Sequence, residues 1–161
     1  MNNIRNIKSV LPLFFVAVPI FVLDFLTKML VQMYIPKGTG FSVIQGFFNL
    51  RHDRNSGAAF GILANQRTFL VLVTIVALIF IFFYYFRFRH SGWMRISLGF
   101  LLGGALGNFY DRIVLGEVVD FLQFGIASKR LYWPTFNVAD ISVCIGAGTL
   151  IVYLFRLQST E

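Results

Sequence analysis

Gly103-Gly104-Ala105-Leu106-Gly107-Asn108-Phe109-Tyr110-Asp111-Arg112, then Val118-Val119-Asp120-Phe121, then Phe136-Asn137-Val138-Ala139-Asp140 is the stretch on which the reading of this chain turns. It starts as an apolar helix spaced with glycines, crosses an extended segment and re-enters an apolar run at Val138. Between Gly103 and Asp140 lie Asp111, Glu117, Asp120 and Asp140, four of the seven acidic residues in the chain. Acids beside membrane segments are costly to desolvate, so their default meaning is functional. Asp120 and Asp140 stand at opposite ends of one short connection, a placement that can bring two carboxyls face to face.

Outward from this stretch the chain is mostly apolar. With 161 residues, 57% hydrophobic and 13% charged, and a mean hydropathy of +0.74, it has room for a single integral membrane domain over residues 1–161 and is too apolar for an ordinary soluble one. A spanning helix needs about 20 apolar residues. Runs at about residues 10–31, 68–86, 96–115 and 138–155 meet this and leave two outer loops, 32–67 and 116–137. The first run is too long for a signal peptide and lacks a small-residue cleavage site, so it stays as helix 1. The net charge of +7 is scattered between apolar blocks instead of lining one stripe, which argues against nucleic acid. Cys144, the single cysteine, lies in an apolar run and reads as packing.

Basic residues set the orientation. Arg5, Lys8, Arg87, Arg89, Arg95 and Arg156 crowd very short flanks, whereas Lys37, Arg51, Arg54, Arg67, Lys129 and Arg130 are diluted over the long loops. Both termini are therefore expected in the cytoplasm. Asp24, Asp111, Asp120 and Asp140 then gather near the outer face.

Along the chain, Asp24 and Lys28 share a face of helix 1, either as an internal ion pair or as part of a site. Phe41 and Val43, then Phe48 and Leu50, alternate with polar neighbours on either side of Gln45-Gly46, which predicts a small hairpin. Asn55-Ser56-Gly57-Ala58-Ala59-Phe60-Gly61 reads from composition as a tight connection lying on the membrane. Phe82 to Phe86 form an aromatic belt suited to an interface at the end of a scaffold helix. Gly99, Gly103 and Gly107, four apart, predict a seam where another helix approaches closely. Glu117 to Phe124 is extended. Asn137 and Asp140 have capping-box spacing, which gives Asp140 a structural alternative to chemistry. His52 and His90 have no partners at metal-ligand spacing, so neither a metal nor a cofactor is expected.

Two close carboxyls do not ionise together readily, so one holds a proton while the other does not. Such a pair can deprotonate a water that attacks a peptide carbonyl and protonate the carbonyl oxygen, without a covalent intermediate. The dipole of helix 4 favours the anion at Asp140, and the Val119 and Phe121 neighbours favour the neutral acid at Asp120. Asp140 is thus the expected initial base and Asp120 the initial acid.

Asp24-x-x-Thr27-Lys28, Asn55-x-Gly57-Ala58-Ala59-Phe60, Gly103-Gly104-x-x-Gly107-Asn108-x-x-Asp111-Arg112, Val119-Asp120-Phe121 and Phe136-Asn137-x-Ala139-Asp140 together resemble the ordered signature of bacterial lipoprotein signal peptidase, or signal peptidase II. The resemblance runs from helix 1 to helix 4. It implies an all-α membrane protein of four transmembrane helices, with a small extracytoplasmic β cradle and a short interfacial helix between helices 1 and 2. It further implies a monomeric multi-pass aspartyl endopeptidase of the cytoplasmic (inner) membrane, working near the outer face among membrane lipids. Its substrates would be lipid-modified prolipoproteins, cut on the amino side of a diacylglyceryl-modified cysteine. Asp120 and Asp140 would be catalytic. Asn55, Gly104, Asn108, Arg112, Asn137 and Ala139 would support them, and Asp24, Lys28 and Asp111 would be structural polar residues.

Rival classes fit the residues less well. A transporter or proton channel needs polar groups through the full depth of the membrane, and helix 2 and the inner halves of helices 3 and 4 have almost none. A serine protease would have to use Ser56 with Lys28 and lacks a G-x-S-x-G elbow. A purely structural subunit has no need of two acids across one loop.

Overall fold

The computed structural model describes residues 2–88 and 91–158; His90 and Arg89, and the side chains of Arg5, Lys8 and Phe60, lie outside the described residues. The chain order is α1 (Asn2–Tyr34), β1 (Gly40–Ile44), β2 (Phe48–Asn55), α2 (Arg67–Phe88), α3 (Gly92–Val114), β3 (Val118–Ile126), β4 (Leu131–Tyr132) and α4 (Val138–Gln158). Between helices 1 and 2, where a short interfacial helix is expected, the helical element is one 3-10 turn, Ala59–Gly61. Among the described residues, three helices are long and apolar enough to cross a membrane: Leu11–Tyr34 in α1, Arg67–Phe88, and Val138–Arg156 in α4.

The helix α3 is not among those three, for a reason visible in its packing. Its glycines, Ser97, Asn108 and Asp111 lower its apolarity, and its buried face meets protein. Gly99 and Gly103 press against α1, where an added side-chain carbon would strike Val16, Ala17 and Ile20. Gly107 meets both α1 and α4, since a carbon there would run into the Asp24 carboxylate and the Ala139 methyl, and a carbon at Gly104 would run into the Ala139 carbonyl. The expected small-residue seam of Gly99, Gly103 and Gly107 therefore runs along α1, and Gly104 adds a close approach to α4. α3 packs against α1, α2 and α4, which makes it the centre of the bundle.

One core cluster, Leu13, Ala17, Ile81, Tyr85, Met94, Leu98 and Leu102, fills the bundle near the start of α3. Tyr85 corrects the aromatic-belt reading, because it is 0% exposed while its neighbours Phe83, Tyr84 and Phe86 face outward. A helix turns about 100° per residue, so a run of five aromatics cannot all share the outer face.

The strands form one antiparallel sheet in the order β1-β2-β3-β4. The hairpin β1–β2 turns at Gly46, whose φ of +79° suits glycine. β3 follows α3 after a second left-handed glycine, Gly116 (φ +83°), where the Gly116 and Leu115 N–H groups both donate to the Asp111 carbonyl. The pairing of β2 with β3 sets Asp53 opposite Asp120 and Asn55 opposite Val118, with an irregularity between Leu50 and Asp53. A second cluster, Val31, Ile35, Val119 and Phe121, seats the start of β3 on the end of α1. The chain returns to β3 before α4 begins: Phe121 and Leu122 N–H donate to the Phe136 carbonyl, and Phe136 N–H donates to that of Leu122. This return leaves Asn137 beside Asp120.

Candidate active site

Asn137 is the hinge of the site. It is 0% exposed and sits just before α4, with its amide nitrogen donating to Asp120 Oδ1 (2.7 Å) and to the Val119 carbonyl (3.3 Å). Its Oδ1 accepts from the Asp140 backbone N–H (2.9 Å), and its own backbone N–H donates to Asp140 Oδ2 (3.1 Å). That reciprocal pair is a capping box with an aspartate at the third helical position. Capping and proximity to Asp120 are one arrangement: the residue that starts α4 holds a carboxyl on either side of itself.

Asp120 is 3% exposed in β3 and takes a second hydrogen bond at Oδ2 from the Asn55 amide (3.1 Å) at the end of β2. Burial, and then the nearby charge of Asp140, push its pKa up to about 7, against the hydrogen bonds from Asn55 and Asn137 and the charge of Lys28. Asp140 is half-buried, and its Oδ1 accepts from the Asn108 amide (2.7 Å) on α3. Every amide that reaches an aspartate here presents an N–H.

Behind these groups lies an ionic knot. Lys28, 2% exposed, reaches Asp24 Oδ2 (2.7 Å), Asp111 Oδ2 (3.0 Å) and Asn108 Oδ1 (3.0 Å). Asp24 Oδ1 accepts from the Ala139 N–H (2.8 Å), and Asp111 Oδ2 from the Val119 N–H (3.1 Å). The pair expected within α1 thus also anchors α4 and β3. Asp24 Oδ2 has the Lys28 ammonium as its ion-pair partner and no hydrogen bond besides, so removing Lys28 would leave a buried carboxylate unpaired.

Arg112 serves the site indirectly, since its Nη2 donates to the Gly57 carbonyl (2.9 Å) and its Nη1 to that of Asn108 (3.4 Å). Asn55 turns back through its Oδ1, which accepts from the Gly57 N–H (2.9 Å), so this small-residue stretch is a folded support for Asp120. Composition alone suggested only a connection. Gly104 and Ala139 act through close packing of α3 on α4 and offer no side-chain hydrogen bond. The Arg51–Asp53 pair (2.9 Å) stands opposite Asp120 in the register; only the distant strand pairing reveals it. His52 is buried and donates through Nδ1 to the Ile35 carbonyl (2.7 Å), which latches the end of α1 to β2.

With this geometry in place, the likeness to known proteins is decisive. A family described as Signal peptidase (SPase) II matches residues 16–156. The chain belongs to the signal peptidase II family. A lipoprotein signal peptidase from Halothermothrix orenii is 41% identical over 145 residues, covering 90% of this chain and 96% of that protein. One from Maridesulfovibrio salexigens is 44% identical over 147 residues, covering 88% and 93%. A solved structure described as a bacterial membrane enzyme superposes with a TM-score of 0.84 at 35% identity, covering 96% of this chain and 91% of the other. The matched signal peptidase II region includes all the residues that meet around Asn137.

Proposed function

We propose that this signal peptidase II works as an aspartic endopeptidase with Asp120 and Asp140 as its catalytic pair. Removal of signal peptides from prolipoproteins is the function of the family. The observation that carries the aspartic reading is the joint attachment of both carboxyls to Asn137, one to its amide and one to its backbone N–H. Asp140, at the helix N-terminus, takes a proton from a water whose oxygen attacks the scissile carbonyl carbon. Asp120 gives its proton to the carbonyl oxygen, and collapse of the tetrahedral diol returns a proton to the departing amine. The serine alternative is disfavoured because the Lys28 ammonium is buried and already faces Asp24, Asp111 and Asn108 at 2.7 to 3.0 Å.

In this reading α3 is a fourth membrane-crossing helix whose polar groups face its neighbours, and residues 1–161 form one membrane domain that acts as a monomer. The termini are cytoplasmic and the sheet lies at the outer face, forming the β cradle. Cysteines placed at Gln45 and Ser128 should react with an impermeant thiol reagent added to intact cells, while one at Ser91 stays unlabelled. Labelling at Ser91 reverses the orientation.

The scissile bond precedes a cysteine carrying diacylglycerol. Each buried CH₂ of the acyl chains contributes about 0.8 kcal/mol, enough to fix the depth of the cut. Phe41 is exposed on β1 and Phe48 is half-buried on β2, so the sheet can hold an extended peptide beside Asp120. The test uses otherwise identical precursors, lipidated and unlipidated, with the purified enzyme and its Asp120→Asn and Asp140→Asn variants. Wild type should cut only the lipidated precursor, and both variants should be inserted, folded and lower in turnover by at least about 1,000-fold. Equal cutting of the two precursors removes the lipid from the recognition, and an active aspartate variant removes that residue from the chemistry.

A further inference from the structure

Three asparagines face the two aspartates, and the polarity of each amide is set by a group that can only donate. The Gly57 N–H fixes Oδ1 of Asn55, and the Asp140 N–H fixes Oδ1 of Asn137. For Asn108 the setter is the Lys28 ammonium, which has three donors and no acceptor. Oδ1 of Asn108 must therefore face Lys28, which turns its N–H toward Asp140 Oδ1 at 2.7 Å. Asn137 Nδ2 reinforces the same choice, donating to Asn108 Oδ1 at 3.1 Å.

We infer that Lys28 is a positioning residue for the hydrolysis: through the Asn108 amide it compels Asp140 to accept from α3, so that the proton of the aspartate pair resides on the side turned away from the asparagine donors. This goes beyond a role in holding helix ends, and it rests on the reading of Asp120 and Asp140 as the catalytic pair. Each of the four carboxyl oxygens of the pair receives an N–H: Asp120 from Asn137 and Asn55, and Asp140 from Asn108 and Asn137. A carboxyl proton pointing inward would meet one of those N–H groups head-on. Lys28 is the only one of the three setters that is a side chain, hence the only one a substitution can change without altering the backbone. The charged groups around the pair are Asp24 and Lys28 from α1, Asp111 and Arg112 from α3, and Asp53, held by Arg51, from β2.

The test measures kcat, KM and the pH profile of the purified full-length enzyme on the lipidated precursor, with thermal unfolding recorded for each variant. Asn108→Asp keeps an acceptor for Lys28 but cannot donate to Asp140. It should fold, lose about 100-fold in kcat with little change in KM, and move the acid limb of its profile to higher pH. Lys28→Gln, whose amide can face Asn108 either way, should lose about 10-fold in kcat. Lys28→Gln combined with Asn108→Ala should be no slower than Asn108→Ala alone, because both act through the same bond. A wild-type kcat and pH profile in Asn108→Asp overturns the inference, as do additive losses in the double variant. If Lys28→Gln does not fold, Asn108→Asp decides alone. Asp120→Asn and Asp140→Asn in the same series separate the two readings: if they stay active the catalytic pair is wrong, and if they are dead while Asn108→Asp is unaffected only the role of Lys28 falls.

Discussion

The two ends of the helical bundle solve burial in opposite ways. Near the start of α3 the interior is Leu13, Tyr85, Met94 and Leu98, crossed by single polar links such as Ser97 to Thr149 (2.9 Å) and Ser142 to the Phe100 carbonyl (2.7 Å). Near its end the same helix buries Asp111 among Asp24, Lys28 and Asn108, with Arg112 half-buried alongside. The apolar end holds its shape mainly by packing. At the polar end each hydrogen bond of a group depends on the group behind it, so orientation passes from α1 through Lys28 and Asn108 to Asp140. The proposed chemistry sits where orientation is over-determined.

Breaking the apolar end should show the larger loss of stability. Tyr85→Ala empties a fully buried site in the core and should cost about 4 kcal/mol. Thermal unfolding in detergent measures this, and the fraction that remains folded should turn over at the wild-type rate. Slower chemistry in that fraction would mean that the two ends are coupled.

At the polar end, Asp24→Asn keeps an acceptor for the Ala139 N–H but weakens the buried pair with Lys28, at a cost of about 3 kcal/mol. Its kcat should fall less than its stability does. A variant that unfolds at the wild-type temperature yet is inactive would move Asp24 from the frame of the site into the chemistry.

The gentlest probe is pH. Asp120 is held at about 7, above its ordinary 3.8, so the folded protein keeps a proton that the unfolded chain releases. Stability should therefore be greatest below about pH 4 as far as this group is concerned, and decline as pH rises toward 7. Asp120→Asn should flatten that decline in a series of unfolding measurements. Turnover should fall about tenfold per pH unit above 7, as the acid loses its proton. A rate that stays constant to pH 9 would remove Asp120 as the proton donor.

How much was legible beforehand differs between these regions. Helix positions follow from apolar runs, and the Gln45-Gly46 hairpin from alternation, because both are local. The Asn137–Asp140 capping box was legible for the same reason, since its two residues lie within one helical turn. That Asn55 reaches Asp120 was not legible from composition, because it depends on the register of β2 against β3 across 65 residues. Tyr85 was misplaced by its aromatic neighbours, since a run of like residues carries no information about which one faces inward.

By itself the sequence determined the class of the protein, its apolar helices, the sparse acids and the ordered motifs of signal peptidase II. These are properties of composition and short-range spacing, and solvation and helical periodicity act on them directly. Only the tertiary structure decided that Lys28 serves Asp24, Asp111 and Asn108 at once, that Gly107 of α3 lies against both α1 and α4, and that Asn137 stands between the two aspartates. Such contacts join residues from different elements. Their partners are selected by the close packing of whole helices and by strand register, which no local pattern encodes.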